Sequence, residues 1–219
     1  MMIQAVIFDM DGLMLDTERL TQRLRRQATE EMGIPYRDLI ERIMGRSETE
    51  VRRVFLEEFG PDYPFDAVKE RIRQLRREYL AGSPVPVKPG LFALLEYLKK
   101  EGIPAAVASS TYRAVALPLL EQAGIAPWLT GMAFGDMVQR SKPEPDIFLL
   151  AARQLGAEPA NCIVLEDSPN GILAAHRAGM LPVMVPDLLK PDPELEKILY
   201  SRVERLDQVI ILMEGMKNS

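Results

Sequence analysis

Five short runs of consecutive apolar residues punctuate the chain: Ala5–Phe8, Ala105–Ala108, Met132–Phe134, Cys162–Leu165 and Pro182–Val185. Runs this short, with no polar alternation, predict strands covered on both faces of a sheet. Between them the apolar period lengthens. Leu91, Leu94, Leu95 and Leu98 share one face of a helix predicted over 91–100, with Pro89-Gly90 ahead of it and Gly102 behind. The same reasoning predicts helices over 112–122, 145–155 and 169–178, stopped by Gly124, Gly156 and Gly179, and a closing helix around 206–213. Strands and helices alternating in this order predict an α/β fold with a parallel sheet and right-handed crossovers.

One region breaks the alternation. From 17 to 81 the pattern is helical throughout, with helices predicted over 19–32, 48–59 and 65–80. Gly33 and Pro35, Gly60-Pro61 and Gly82 provide the stops, and the proline-rich stretch 83–89 is a stiff extended connector. The chain is therefore expected to fold as an α/β core of 1–15 and 84–219, with an all-helical cap, 16–83, inserted after the first strand. An insertion beside a functional strand end is a natural lid.

Composition narrows the partners. The 219 residues are 47% hydrophobic and 27% charged, enough for a sizeable core. The net charge of -5 argues against a nucleic-acid partner held by bulk charge. No apolar run approaches the roughly 18 residues that would span a bilayer, so no membrane partner is expected. Met1-Met2-Ile3-Gln4 carries no basic segment before an apolar stretch, so no secretory signal is expected and the compartment is expected to be the cytoplasm. A monomer is the expected state. The single cysteine, Cys162, precludes an internal disulfide. With His176 as the single histidine, a His/Cys zinc site is excluded, and any metal should be a hard cation on oxygen ligands.

Chemistry-bearing residues gather where the predicted strands end. Asp9 and Asp11 follow the first strand, Ser109, Ser110 and Thr111 the second, and Glu166 and Asp167 the fourth. Lys142 stands at the mouth of the helix over 145–155. Parallel strands bring all four loops to one sheet edge, where open α/β sheets bind ligands. Carboxylates, a hydroxyl, an ammonium and helix N-termini suit phosphoryl transfer. Carboxylates bind Mg²⁺, one of them can attack phosphorus, and another can protonate the leaving alkoxide. Lysine, hydroxyl and backbone N–H groups can hold phosphoryl oxygens. Each residue also has an ordinary role open to it. Ser109 and Asp167 could cap helices, and Lys142 could be a solvated surface charge.

The segments Phe8-Asp9-Met10-Asp11-Gly12, Asp16-Thr17-Glu18, Val107-Ala108-Ser109-Ser110, Ser141-Lys142-Pro143-Glu144-Pro145-Asp146 and Val164-Leu165-Glu166-Asp167-Ser168 together resemble the haloacid dehalogenase superfamily. Within it, the chain is similar to the β-phosphoglucomutase-like group with a small helical cap. The resemblance implies an aspartyl-phosphate mechanism with Asp9 as nucleophile and Asp11 as general acid/base. It implies Ser109, Ser110 and Lys142 on the phosphoryl group. Mg²⁺ would be held by Asp9, Asp167, Glu166 (directly or through water) and the Asp11 backbone carbonyl. Asp11 argues for phosphate over halide, because the dehalogenases lack this second aspartate. The mutases of the group carry a histidine on the first cap helix where this chain has Thr21. The resemblance thus implies a phosphatase of a small phosphorylated metabolite, a sugar or polyol phosphate being the favoured class, with a sugar phosphomutase as the alternative. A non-enzymatic phospho-accepting receiver module is a third reading, disfavoured by the helical insertion and by Asp11. In the arginine-rich cap, Thr21 and Arg46 are the candidates for touching substrate.

Overall fold

The computed structural model describes residues 2–43, 48–188 and 192–217. Six parallel strands form one sheet: β1 (Ala5–Phe8), β2 (Ala105–Ser109), β3 (Gly131–Phe134), β4 (Cys162–Glu166), β5 (Leu181–Met184) and β6 (Ser201–Arg202). Their spatial order is β3-β2-β1-β4-β5-β6. The order reverses between β1 and β4, so a crevice opens beyond the carboxyl ends of these two strands. Every residue of β1, β2 and β4 is buried, as uninterrupted apolar runs require.

Chain contacts divide the molecule into two compact units, Met1–Leu15 with Val87–Ser219, and Asp16–Pro86. In the sheet unit, α5 (Leu91–Lys100) buries the four leucines that its periodicity singles out. α6 (Arg113–Gln122), α7 (Asp146–Leu155) and α8 (Pro169–Arg177) are the crossover helices, followed by the short α9 (Pro193–Glu196) and the closing α10 (Gln208–Lys217). Small side chains at Ala106, Ala108 and Ala133 let α7 lie close to the sheet, where Phe148 and Ala151 fill the space. α8 begins with Pro169 at its first position, and the Ser168 hydroxyl accepts from Gly171 N at 3.1 Å. The cap of this helix is therefore Ser168, which leaves the Asp167 carboxylate out of that duty.

The helical unit holds α1 (Thr17–Glu31), α2 (Ile40–Ile43), α3 (Glu48–Phe59) and α4 (Phe65–Gly82). Leu20, Leu24 and Ala28 recur every four residues along α1 and pack on Leu75 of α4. A second cluster joins Leu39, Ile43, Val54, Phe55, Tyr63 and Val68. β6, α2 and α9 are absent from the elements predicted above. Two to four residues are too few to carry a period. No helix of the described residues is long and apolar enough to cross a membrane.

Candidate active site

Asp9 follows β1 directly, and its backbone N–H still pairs with Leu165 O at 3.0 Å, as a continuation of the ladder. The chain then doubles back. Gly12 has φ +85°, its N–H donates to Leu15 O, and the N–H groups of Met14 and Leu15 both reach Met10 O. Glycine is required here twice over. Positive φ disfavours any L side chain, and an added Cβ would run into Asp167 Oδ2 and stand 2.9 Å from Asp167 Cγ.

Glu166 closes β4 and Asp167 follows it. The Glu166 carboxylate accepts three hydrogen bonds. Oε2 accepts from Ser168 N at 2.8 Å and from the Ser168 hydroxyl at 2.9 Å, while Oε1 accepts from Lys142 at 2.7 Å. Gly171, in the first turn of α8, leaves room for it, since a Cβ there would overlap the Glu166 carboxylate. Lys142 comes from the connection between β3 and α7. Its ammonium donates to Asp9 Oδ1, to Glu166 Oε1 and to Ala108 O at 3.1 Å, matching its three protons to three acceptors. With its side chain only 7% exposed, Lys142 is no solvated surface charge.

The remaining candidates have definite places. Ser109 is buried at the end of β2, and its hydroxyl accepts from Thr111 N at 3.0 Å. Asp11 receives a hydrogen bond on Oδ2 from the Thr111 hydroxyl at 2.8 Å. Thr111, the third hydroxyl of the run after the second strand, is thus the residue that meets Asp11. Ser110 is exposed, and among the described residues no hydrogen bond joins its side chain to the acids or to Lys142. Asp136 accepts from Arg113 N, the first residue of α6, at 2.8 Å. Thr21 lies in the helical unit, where its hydroxyl donates to Thr17 O at 2.8 Å and accepts from Arg76. Arg46 falls outside the described residues.

One acid escaped sequence reasoning altogether. The Asp187 side chain is fully buried, pairs with Lys88 at 2.5 Å, and lies near enough to Asp167 to raise its pKa. It follows β5 after Pro186, in no recognisable motif.

The electrostatics follow from burial. Desolvation raises the Asp9 carboxyl to about 8, outweighing the attraction of Lys142, and the Glu166 charge adds to the rise. Burial likewise holds Asp167 well above the ordinary carboxylate range, reinforced by Glu166 and Asp9. Burial pulls Lys142 down, but facing Asp9 and Glu166 it ends above the usual lysine value.

The donor set suits a divalent cation. Asp9, Glu166 and Asp167 are all buried, and each offers a carboxylate oxygen within 4.8 Å of the others'. Three carboxylates face a single ammonium, so full ionisation leaves two uncompensated negative charges in a desolvated site. A hard divalent ion offsets them and takes oxygen ligands by preference. The Asp11 carboxylate stands apart from this cluster, bonded to Thr111.

Buried acids, a lysine and hydroxyls thus gather at the switch point of a parallel sheet. The chain belongs to the haloacid dehalogenase-like hydrolases, whose family model matches residues 3–179. It is 35% identical over 179 residues to the phosphorylated carbohydrates phosphatase of Thermotoga maritima, covering 81% of this chain and 82% of that one. It is 33% identical over 190 residues to the β-phosphoglucomutase of Bacillus subtilis, covering 84% and 83%. Among solved structures, it resembles CbbY from Rhodobacter sphaeroides in complex with phosphate, with a TM-score of 0.72, 26% identity, and coverage of 95% of this chain and 96% of that one.

Proposed function

We propose that this hydrolase is a Mg²⁺-dependent phosphatase of a small phosphorylated metabolite, a sugar or polyol phosphate, working through an aspartyl-phosphate on Asp9. The observation that carries the proposal is the buried cluster of Asp9, Glu166, Asp167 and Lys142 at the end of β1 and β4. The Thermotoga relative is named a phosphorylated carbohydrates phosphatase, and a 32% identical Arabidopsis thaliana relative (DL)-glycerol-3-phosphatase 2.

Asp9, Asp167, Glu166 and the Asp11 carbonyl would hold Mg²⁺, which would neutralise the charge of a phosphate that these carboxylates otherwise repel. The Asp9 carboxylate attacks phosphorus and the ester P–O bond breaks. The departing alkoxide takes the proton of Asp11. Asp11 then takes a proton from water as the water oxygen attacks the phosphoryl-aspartate, which restores Asp9 and releases phosphate. Lys142, Ser109 and the backbone at Ser110 grip the phosphoryl oxygens. Thr111, bonded to Asp11, fixes the direction in which that carboxyl presents its proton. The helical unit, with Thr21 and Arg46, selects the organic part of the substrate. The enzyme acts in the cytoplasm as a monomer, without nucleic-acid or membrane partners.

The mutase alternative has the Bacillus relative in its favour. Thr21 counts against it, because its hydroxyl proton is committed to Thr17 O and it has no ring nitrogen to shuttle a proton. A panel of phosphorylated metabolites assayed with Mg²⁺ tests the proposal. Phosphate release from sugar or polyol phosphates supports it. Isomerisation of a hexose phosphate without phosphate release refutes it.

A further inference from the structure

The helical unit contains a cavity of about 400 Å³, all of whose lining residues lie within 21–76. That size is within the range of small-ligand sites. Its walls are largely apolar, built by Val51 and Phe55 of α3 and by Phe65, Val68 and Ile72 of α4. Among the described residues, two polar groups at this cavity lack a hydrogen-bond or ion-pair partner. Tyr63, 8% exposed, has a buried hydroxyl that makes no hydrogen bond. Arg25 lies across the Phe55 ring, its guanidinium carbon 5.3 Å from the centroid, and among the described residues no carboxylate comes within ion-pair distance.

Both features are costly as they stand. A buried hydroxyl without a partner forfeits its hydrogen bonds to water, and a desolvated cation needs an anion. Burial pulls the Arg25 pKa down, and the charges of Glu18 and Asp38 offset part of that fall. Of the other lining cations, two have a carboxylate partner and Arg76 a hydroxyl. Lys69 pairs with Glu48, Arg73 with Glu70, and Arg76 donates to Thr21. The Arg25 guanidinium and the Tyr63 hydroxyl together match the fork of a single carboxylate. The Phe55 ring, stacked on Tyr63 at 5.5 Å, and the aliphatic walls match an apolar body.

We infer that this cavity is a binding site for a small organic acid, with its carboxylate on Arg25 and Tyr63 and its hydrocarbon body against Val51, Val68 and Ile72. The inference goes beyond the phosphatase reading, although Thr21, which lines this cavity, is also the residue proposed there to select substrate. It concerns a site built wholly from the helical unit and needs neither metal nor phosphate ester.

Titration calorimetry on the full-length chain, metal-free, compares three probes: octanoate, 1-octanol and acetate. Octanoate should bind once per chain and at least about tenfold more tightly than octanol, the scale of a hydrogen bond to a charged group. Acetate, lacking the body, should bind more weakly still. Methyl NMR signals of Val51, Val68 and Ile72 should shift with octanoate. Tyr63→Phe and Arg25→Met should each weaken octanoate several-fold, and Arg25→Met should abolish the preference over octanol. The comparison within the wild-type chain decides the matter even where a variant fails to fold. Equal affinity for octanoate and octanol, or methyl signals that stay in place, would overturn the inference.

Discussion

Gly12 and Asp167, 155 positions apart in sequence, lie so close that a methyl group on the first would strike the carboxylate of the second. The turn after β1 and the acid after β4 are thus fitted to each other. Gly12→Ala imposes a left-handed conformation on a residue with a Cβ, which costs about 1–2 kcal/mol, and it also displaces Asp167. Gly33 provides the matched control, having φ +66° with open space around it. Gly33→Ala should lower stability by about 1 kcal/mol in urea unfolding and keep kcat within about twofold. Gly12→Ala should lose about 100-fold or more in kcat, as displacement of an acid by an ångström implies.

Gly171 poses the same test on a helix, where propensity points the other way. Alanine inside a helix is favoured over glycine by about 1 kcal/mol. Yet a Cβ at this position overlaps the Glu166 carboxylate, so Gly171→Ala should destabilise the chain rather than stabilise it. Mg²⁺ affinity, read from the activation curve of hydrolysis, should fall about 10-fold to 100-fold.

The acid cluster makes stability depend on pH in a definite direction. Folded Asp9, at about 8, holds its proton more tightly than the unfolded chain does at the ordinary 3.8. Its contribution to stability is complete below about pH 4 and is lost as pH rises through about 8. Asp167 shifts the same way. The metal-free chain should therefore lose stability at this site over that interval. Mg²⁺ competes with those protons, so the rise in Tm that it causes should be larger at pH 8 than at pH 5. A rise independent of pH would mean that Asp9 and Asp167 are not its ligands.

How much of this was legible in the sequence follows from the length scale of each signal. The apolar runs of β1, β2 and β4 and the leucine face of α5 are local, repeated and unambiguous. Asp9, Asp11, Lys142 and Asp167 stand at strand or helix ends, which parallel topology brings to one edge. What stayed hidden depends on contacts between distant segments. Nothing in the sequence shows that Lys142 meets Asp9, Glu166 and Ala108 O at once, or that Glu166 Oε2 is given over to Ser168. Asp187 carries no motif, and its burial beside Lys88 comes only from the packing of the loop after β5. β6, with two residues, has no period to detect.

Asp9 as the atom source of a covalent intermediate is the point on which the proposed chemistry turns, and a rapid acid quench reaches it most directly. The chain with Mg²⁺ is mixed with an aryl phosphate and quenched within one turnover. Mass spectrometry should find the peptide bearing Asp9 heavier by one phosphoryl group. Borohydride reduction of that acyl phosphate should convert residue 9 to homoserine. An unmodified Asp9 peptide at a time when product is forming would contradict the mechanism.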